Sequence, residues 1–178
     1  IEPSEICLKR AALHASAFFP NAEIKPVNKM FDDFACNDSL IIVDPCMADN
    51  GKLYPGFTEE FAFAMAKLCS KAHVIIPNMT EASFMLGIEY KESATLGSKK
   101  VVLKGLQFEQ DKLGIAIYDS SADKTEWYFH KKMPQNFHGT GDIFASVLTG
   151  ALMRGMSLKD SSSLAADYVV ESIKCTLS

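Results

Sequence analysis

Short apolar runs that alternate with a helical stretch are the feature that most constrains how this chain can fold. Three such runs, at 40–44, 73–76 and 100–104, are rich in β-branched residues and too short for helices, so each predicts a buried strand. Between the first two, residues 58–72 repeat apolar side chains at helical spacing, behind the predicted N-cap Thr58. Strands that alternate with helices indicate an α/β fold, with a mainly parallel sheet covered by helices on both faces.

The C-terminal part of the chain follows a different pattern. Residues 114–118 and 125–130 flank a polar turn and predict a β-hairpin. Two helices are predicted after it, one over 142–154 and one from Ser157, which begins a capping-box pattern, to about Lys174. The expected architecture is a three-layer sandwich with a β-hairpin before its C-terminal helices.

Two stretches fit this architecture badly. The first 25 residues show no clear periodicity, and we predict that they do not supply the strand that should open the sheet. Residues 90–99 are too few for the crossover helix that parallel strands need. We therefore expect a single domain over residues 1–178 that lacks residues at its N-terminus and between 90 and 99.

Composition and charge narrow the class of protein. The net charge of −4 and the lack of a long Lys/Arg run argue against nucleic-acid binding. Five scattered cysteines without a C-x-x-C pair indicate reduced thiols inside a cell, rather than a zinc site or a disulfide framework. The sequence contains no apolar stretch as long as a membrane span and no secretory signal. We therefore predict a cytoplasmic protein.

The tetrapeptide Gly139-Thr140-Gly141-Asp142 stands directly before an apolar helical run and is the strongest functional motif. Glycines let the backbone approach a ligand closely, and the helix would aim its unpaired N–H groups and its positive dipole end at an anion such as phosphate. Asp142 would be placed to take a proton from a substrate hydroxyl. An ordinary helix start, with Asp as N-cap after glycines, explains the motif equally well at this point.

Polar residues follow each of the three predicted strands. They are Asp44 and Asp49 after the first, Asn78 and Glu81 after the second, and Lys104, which Gly105 follows, at the end of the third. In open α/β sheets ligands bind beyond the carboxyl ends of the strands, so these side chains and Asp142 should converge. Several acids, a lysine and an anion-binding helix end are what phosphoryl transfer from a magnesium nucleotide requires.

Each of these polar residues also has an ordinary structural interpretation. Asn78 with Glu81 fits the start of a helix. Asp44 could end its strand as a turn residue, Lys104 could be a solvated lysine, and Asp49 begins a strong turn signal.

Three ordered segments, 44–54, 77–82 and 138–142, resemble the ribokinase-like superfamily, and within it they are most similar to the pyridoxal/pyridoxamine kinases. The resemblance extends from about Val27 to Ser178. Members of that family have an N-terminal βα region that supplies the first sheet strands and much of the vitamer pocket, and this region is not found here. No residue for recognition of the pyridine ring can therefore be assigned.

The resemblance implies an ATP-dependent kinase that phosphorylates the 5′-hydroxymethyl group of pyridoxal, pyridoxamine or pyridoxine. It implies Asp142 as the general base, and the N–H groups of Gly139, Thr140 and Gly141 as the anion hole for the transferring phosphoryl group. It also implies ATP and Mg²⁺ as cofactors and a homodimer, and it leaves a requirement for a monovalent cation such as K⁺ open.

The other site residues follow from the same resemblance. Asp49 and Glu81 would organise Mg²⁺ through water, with Asp44 behind them. Tyr54 would contact the nucleotide from a loop over the triphosphate. The residues that would line the ATP and phosphate site are Asp44, Tyr54, Asn78, Lys104 and Gly105.

One departure from the family pattern brings in an alternative. Lys104 stands where many pyridoxal kinases have a small hydroxyl residue, which moves the chain toward the hydroxymethylpyrimidine kinases. Those enzymes commonly end the glycine motif in Cys, so Asp142 argues against them. Two further alternatives are an ATP-dependent dehydratase of hydrated nicotinamide cofactors on the same fold, and a non-catalytic relative that binds nucleotide or a partner.

Overall fold

A mixed β-sheet forms the centre of the structure, a computed structural model that describes residues 12–16, 24–87, 100–134 and 137–177. Within these ranges the strands, in chain order, are β1 (Ala12–Ser16), β2 (Leu40–Asp44), β3 (Ala48–Asp49), β4 (Lys52–Leu53), β5 (Val74–Ile75), β6 (Lys100–Leu106), β7 (Lys112–Asp119) and β8 (Lys124–Lys131). Strands β3 and β4 form a small hairpin of their own, and the other six form the central sheet.

Helices flank the sheet on both sides. In the described ranges they are α1 (Ile24–Phe34), α2 (Glu59–Cys69), α3 (Met79–Leu86), α4 (Thr140–Met153) and α5 (Leu158–Leu177). None of these described helices is both long and apolar enough to cross a membrane.

The strand order in the central sheet is β1-β2-β5-β6-β7-β8. The first four of these strands are parallel to one another, and β7 and β8 continue the sheet in antiparallel pairing. The predicted α/β class with a mainly parallel sheet is therefore confirmed. The predicted hairpin is β7–β8, and each of its strands is longer than predicted because both are paired over their full length.

Two apolar cores cover the two faces of the sheet. Successive residues of β2 point to opposite faces, so Ile41 and Val43 pack with α1, α2 and α3, whereas Ile42 packs with α4 and α5. Because both faces are buried, this strand is an uninterrupted apolar run in the sequence. Helices on both faces confirm the predicted three-layer sandwich.

The N-terminal strand β1 corrects one prediction. Its backbone pairs in parallel with β2, with Ala12 opposite Leu40 and Ser16 opposite Asp44. The prediction that the first 25 residues supply no strand was therefore wrong. The segment reads Ala-Leu-His-Ala-Ser, which has little intrinsic β-propensity, and its pairing with a central strand makes it a strand. The gap predicted at 90–99 lies outside the described residues.

The starts of α2 and α4 test two predicted N-caps, one at Thr58 and one at Asp142. Thr58 caps α2 as predicted, since its Oγ1 accepts the N–H of Phe61 at 3.3 Å. Helix α4 begins at Thr140, two residues earlier than predicted, with Gly139 as its N-cap. Asp142 therefore lies in the first turn of the helix, and the interpretation of Asp142 as an N-cap was wrong.

Candidate active site

The carboxyl ends of β2, β5 and β6 lie side by side at one edge of the sheet. Strand β2 ends at Asp44, and Lys104 of β6 forms a parallel bridge with Asn78, which follows β5. The backbone N–H of Lys104 also donates to the carbonyl oxygen of Pro77 at 2.9 Å. The polar residues that follow the three strands are therefore brought together, as predicted.

Lys104 and Asp44 form an ion pair at this edge. Lys104 Nζ donates to Asp44 Oδ1 at 3.0 Å, and the side chains are 18% and 3% exposed, respectively. A buried carboxylate is costly unless a charged partner and hydrogen bonds compensate it, and Lys104 supplies the charged partner of Asp44. The interpretations of Lys104 as a solvated lysine and of Asp44 as a simple turn residue were wrong.

The glycine motif lies close to the Lys104 side chain at the start of α4. A Cβ atom added to Gly141 would lie 4.0 Å from Lys104 Nζ. Gly139 has φ 84°, a left-handed conformation that glycine adopts without strain, and no side chain caps the helix there. The N-terminal end of α4 and the Lys104 ammonium therefore act on one small region, where both favour an anion.

Asp142 and the acids of the neighbouring strands all affect the pKa of Cys46. The pKa of the Cys46 thiol rises to about 11, first because the thiol is partly buried and then because three carboxylates act on it. In order of effect, these carboxylates are Asp44, Glu81 and Asp142, and Lys104 opposes them. The acid of the glycine motif and the acids of the strand ends thus all lie within electrostatic range of Cys46.

Cys46 is a site residue that sequence reasoning missed. Its backbone has φ 42°, in the left-handed region where non-glycine residues are uncommon. Such a conformation costs about 1–3 kcal/mol and persists where the surrounding structure imposes it, which is frequent at ligand sites. No sequence signal marks this conformation, because Cys has no preference for it.

Glu81 is a buried carboxyl group whose two oxygens both accept main-chain N–H groups. Oε1 accepts from Met47 at 3.0 Å, and Oε2 accepts from Asn78 at 2.7 Å. In return, Asn78 Oδ1 accepts the N–H of Glu81 at 2.9 Å, which completes a capping box. Burial raises the pKa of Glu81 to about 7, although Lys104 and the two N–H groups lower it. The interpretation of this pair as a helix start is confirmed.

The first turn of α3 also fixes the loop that carries β3 and β4. Asn78 Nδ2 donates to the carbonyl oxygen of Ala48 at 2.7 Å, and the N–H of Gly51 donates to Thr80 Oγ1 at 3.0 Å. Together with the Glu81 bond, these contacts attach three points of the loop to one helical turn. The sequence shows the capping pattern but not this attachment, because the loop partners lie about 30 residues away.

Asp49 and Tyr54 lie in the outer part of this loop. The exposed Asp49 accepts from Asn50 through both oxygens, from the backbone N at 2.8 Å and from Nδ2 at 3.1 Å. Asn50 and Gly51 have φ 50° and 78°, so the predicted tight turn is confirmed between β3 and β4. Partial desolvation and then the charge of the Asp49 carboxylate raise the pKa of Tyr54 to about 12.

Two other predicted site residues have local structural roles. Gly105 has φ 80° and lies where the pairing of β6 with β7 shifts register, between Lys104 and Leu106. Thr140 Oγ1 donates to the carbonyl oxygen of Phe137 at 3.2 Å. Neither observation tests the predicted roles of Gly105 and Thr140 in phosphate binding, which stay predictions.

The acids of the site are engaged in contacts within the protein. Within the described residues, no group of three or more His, Cys, Asp or Glu side chains could hold a metal. The oxygens of Glu81 accept N–H groups, Asp44 pairs with Lys104, and Asp49 binds Asn50. Mg²⁺ is usually held by one or two carboxylates together with phosphates and water, so the role of Asp49 and Glu81 in organising Mg²⁺ through water stays a prediction.

Known kinases of two related substrate classes resemble this chain. It is 29% identical over 167 residues to the hydroxymethylpyrimidine/phosphomethylpyrimidine kinase of Bacillus subtilis (strain 168). The aligned region covers 86% of this chain and 60% of that enzyme. It is also 29% identical over 150 residues to the pyridoxine/pyridoxal/pyridoxamine kinase of Bordetella avium (strain 197N), over 77% of this chain and 50% of that enzyme. The chain thus spans about half to three fifths of the length of these curated relatives.

A solved structure confirms the fold. The crystal structure of pyridoxal kinase from Lactobacillus plantarum superimposes with a TM-score of 0.79 at 26% identity, over 94% of this chain and 63% of that one. The resemblance to ribokinase-like pyridoxal kinases is confirmed by these matches. The model of the family described as phosphomethylpyrimidine kinase matches residues 19–178, and the chain therefore belongs to that family.

Proposed function

We propose that this protein transfers the γ-phosphoryl group of ATP to the 5′-hydroxymethyl group of a B6 vitamer, namely pyridoxal, pyridoxamine or pyridoxine. The observation that carries the proposal is the position of the Lys104 ammonium, whose Nζ lies 4.0 Å from a Cβ position on Gly141. Lys104 and Asp142 both act electrostatically on Cys46. Positive charge, helix N–H groups and a carboxylate are then available at one place. Phosphoryl transfer needs these three elements, since its catalysis consists mostly of positioning and charge stabilisation.

Asp142 is the proposed general base. Its carboxylate would take the proton of the substrate hydroxyl as the hydroxyl oxygen attacks the γ-phosphorus. The bond between that phosphorus and the bridging oxygen then breaks, and ADP leaves with the electron pair. Its location supports the role, because it lies in the first turn of α4, directly after the proposed anion hole of Gly139, Thr140 and Gly141.

The proposed ATP site extends from this turn to the neighbouring strand ends. Lys104 would contact the phosphates with its ammonium, held in place by Asp44. The attachment of the β3–β4 loop to α3 would keep Asp49 and Tyr54 in position beside the nucleotide. Asn78 and Gly105 would border the phosphates. Mg²⁺, if bound with the phosphates, would be held through water by Asp49 and Glu81 and would supply positive charge to the phosphate oxygens.

A hydroxymethylpyrimidine or its phosphate is the second candidate acceptor. The family model and the relative from Bacillus subtilis favour it. Hydroxymethylpyrimidine and the B6 vitamers both present a hydroxymethyl group on a nitrogen heterocycle, so the same base and anion hole would serve either; in the pyrimidine phosphate the accepting oxygen would belong to the phosphate group. The homodimer and the cytoplasmic location stay predictions.

A kinase assay with matched variants tests the proposal. ADP formation is measured with ATP and each of the three vitamers, and with hydroxymethylpyrimidine. Asp142→Asn should lower kcat by about 10²- to 10⁴-fold, because the general base is lost, while ATP binding is retained. The matched control is Asp160→Asn, since Asp160 occupies the same first-turn position in α5.

Asp160 accepts from the hydroxyl of Ser157 at 2.7 Å and supports that helix only. The control should therefore change kcat by less than about 2-fold, as exposed substitutions away from a site usually do. Equal turnover by Asp142→Asn and the parent protein would remove Asp142 as the base. Turnover with none of the acceptors would refute the proposed function.

A further inference from the structure

Strand β6 carries two lysines that pair with acids in different surroundings. Lys100 pairs with Asp119 at 3.1 Å, with side chains 39% and 27% exposed. Lys104 pairs with Asp44 at 3.0 Å, with side chains 18% and 3% exposed. An exposed ion pair contributes little to stability, whereas a cation beside a buried carboxylate prevents a large loss. The two pairs therefore serve as an internal comparison.

Asp44 lies where a positive charge is needed. The carboxylate is buried, and the buried Glu81 also lies within its electrostatic range. A buried carboxylate in a region of low dielectric attracts any cation that can enter. The ammonium of Lys104 already fills this place, in contact with Asp44 and within 4.0 Å of a Cβ position on Gly141.

We infer that the Lys104 ammonium takes the place of a bound monovalent cation beside Asp44, so that the protein needs no K⁺ at this site. The inference rests on the proposed function, because the task of that charge is to link Asp44 to the phosphates of ATP. A monovalent cation such as K⁺ does not fit here, since the lysine supplies the same single charge. Unlike a free ion, the lysine is always present and loses no translational freedom on binding.

Melting temperatures in different chloride salts test the inference without any need for kinase activity. The wild-type protein is measured in KCl, NaCl and tetramethylammonium chloride at equal ionic strength, and the three Tm values should coincide. Lys104→Thr removes the charge and leaves a hydroxyl oxygen near Asp44. Its Tm should be about 3 °C higher in about 100 mM K⁺ than in tetramethylammonium, because ion binding stabilises the folded state.

Three further variants separate a site effect from a general effect of salt. Lys100→Thr breaks the exposed pair of the same strand and should show no K⁺-specific rise. Lys104→Thr combined with Asp44→Asn removes both charges and should lose the rise. Lys104→Arg keeps the charge and should behave as the wild type does, which keeps the test decisive if Lys104→Thr does not fold.

A K⁺-specific rise in the wild type or in Lys104→Arg would overturn the inference. A folded Lys104→Thr protein without a K⁺-specific rise would overturn it as well. The kinase assay gives an independent outcome. If no acceptor is phosphorylated, the proposed function fails, while the charge role of Lys104 is still decided by the melting temperatures.

Discussion

Glu81→Gln gives the most quantitative test of how the site is built. The substitution keeps the size of the side chain and removes its ability to ionise. In the structure both oxygens of Glu81 accept N–H groups, from Met47 and Asn78. A glutamine can accept at only one of them, and its NH₂ group would face the other donor. One buried N–H group is then left without an acceptor, at a cost of about 1–3 kcal/mol.

The pH dependence distinguishes this carboxyl group from an ordinary capping residue. Burial raises the pKa of Glu81 from its ordinary value of 4.5 to about 7 in the folded protein. A carboxyl group whose pKa rises on folding takes up a proton on folding. Its contribution to stability is therefore complete below 4.5 and is lost as the pH rises through about 7.

The size of the loss follows from the two pKa values. Linkage gives a decrease of about 2 kcal/mol in the free energy of unfolding between roughly pH 5.5 and pH 8 for this one group. The Glu81→Gln protein lacks this contribution. The difference in unfolding free energy between wild type and variant should therefore shrink by about 2 kcal/mol over that interval.

Urea unfolding of both proteins at several pH values measures this difference. Glu171→Gln is the matched control, because Glu171 is exposed on α5 and pairs only with Lys174 among the described ion pairs. The control should follow the wild type at every pH. Parallel stability curves for wild type and Glu81→Gln would refute the reasoning, since they would mean that Glu81 does not change its protonation on folding in this range.

Substitutions at three glycines give further tests. Gly114→Ala should lower the unfolding free energy by about 1–3 kcal/mol, because the new Cβ would lie 2.3 Å from a Phe129 ring carbon and 2.8 Å from the Tyr128 carbonyl oxygen. Urea unfolding measures this loss of stability. Gly150→Ala, in α4 with open space around it, is the control and should stabilise by about 0.5–1 kcal/mol; a loss of stability there would contradict the helix assignment. Gly139→Ala should cost about 1–2 kcal/mol through its left-handed backbone alone, since its Cβ would meet nothing within 4 Å. Calorimetry should show a lower Tm for Gly139→Ala, and an unchanged Tm would argue against the turn geometry.

Much of the fold could be predicted because its signals are local. The apolar run of β2, the cap at Thr58 and the polar turn between β7 and β8 each act within a few residues. The capping box of Asn78 and Glu81 is local in the same sense, since its partners are three residues apart. Strand β1 was missed because its residues have weak propensity and become a strand only through pairing with β2.

In the candidate site, too, features with local sequence signals could be predicted, whereas features that depend on distant residues could not. The family, the glycine turn before α4 and the order of acids along the chain could all be predicted from the sequence, because these are contiguous motifs. The burial and the partners of each side chain could not be predicted, since they involve residues far apart in the chain. Lys104 and Asp44 are 60 positions apart, and their contact decided between a solvated lysine and a partly buried counter-charge in favour of the second. Likewise, Glu81 reaches Met47 across 34 positions, and this contact made a helix cap the support of the proposed nucleotide loop.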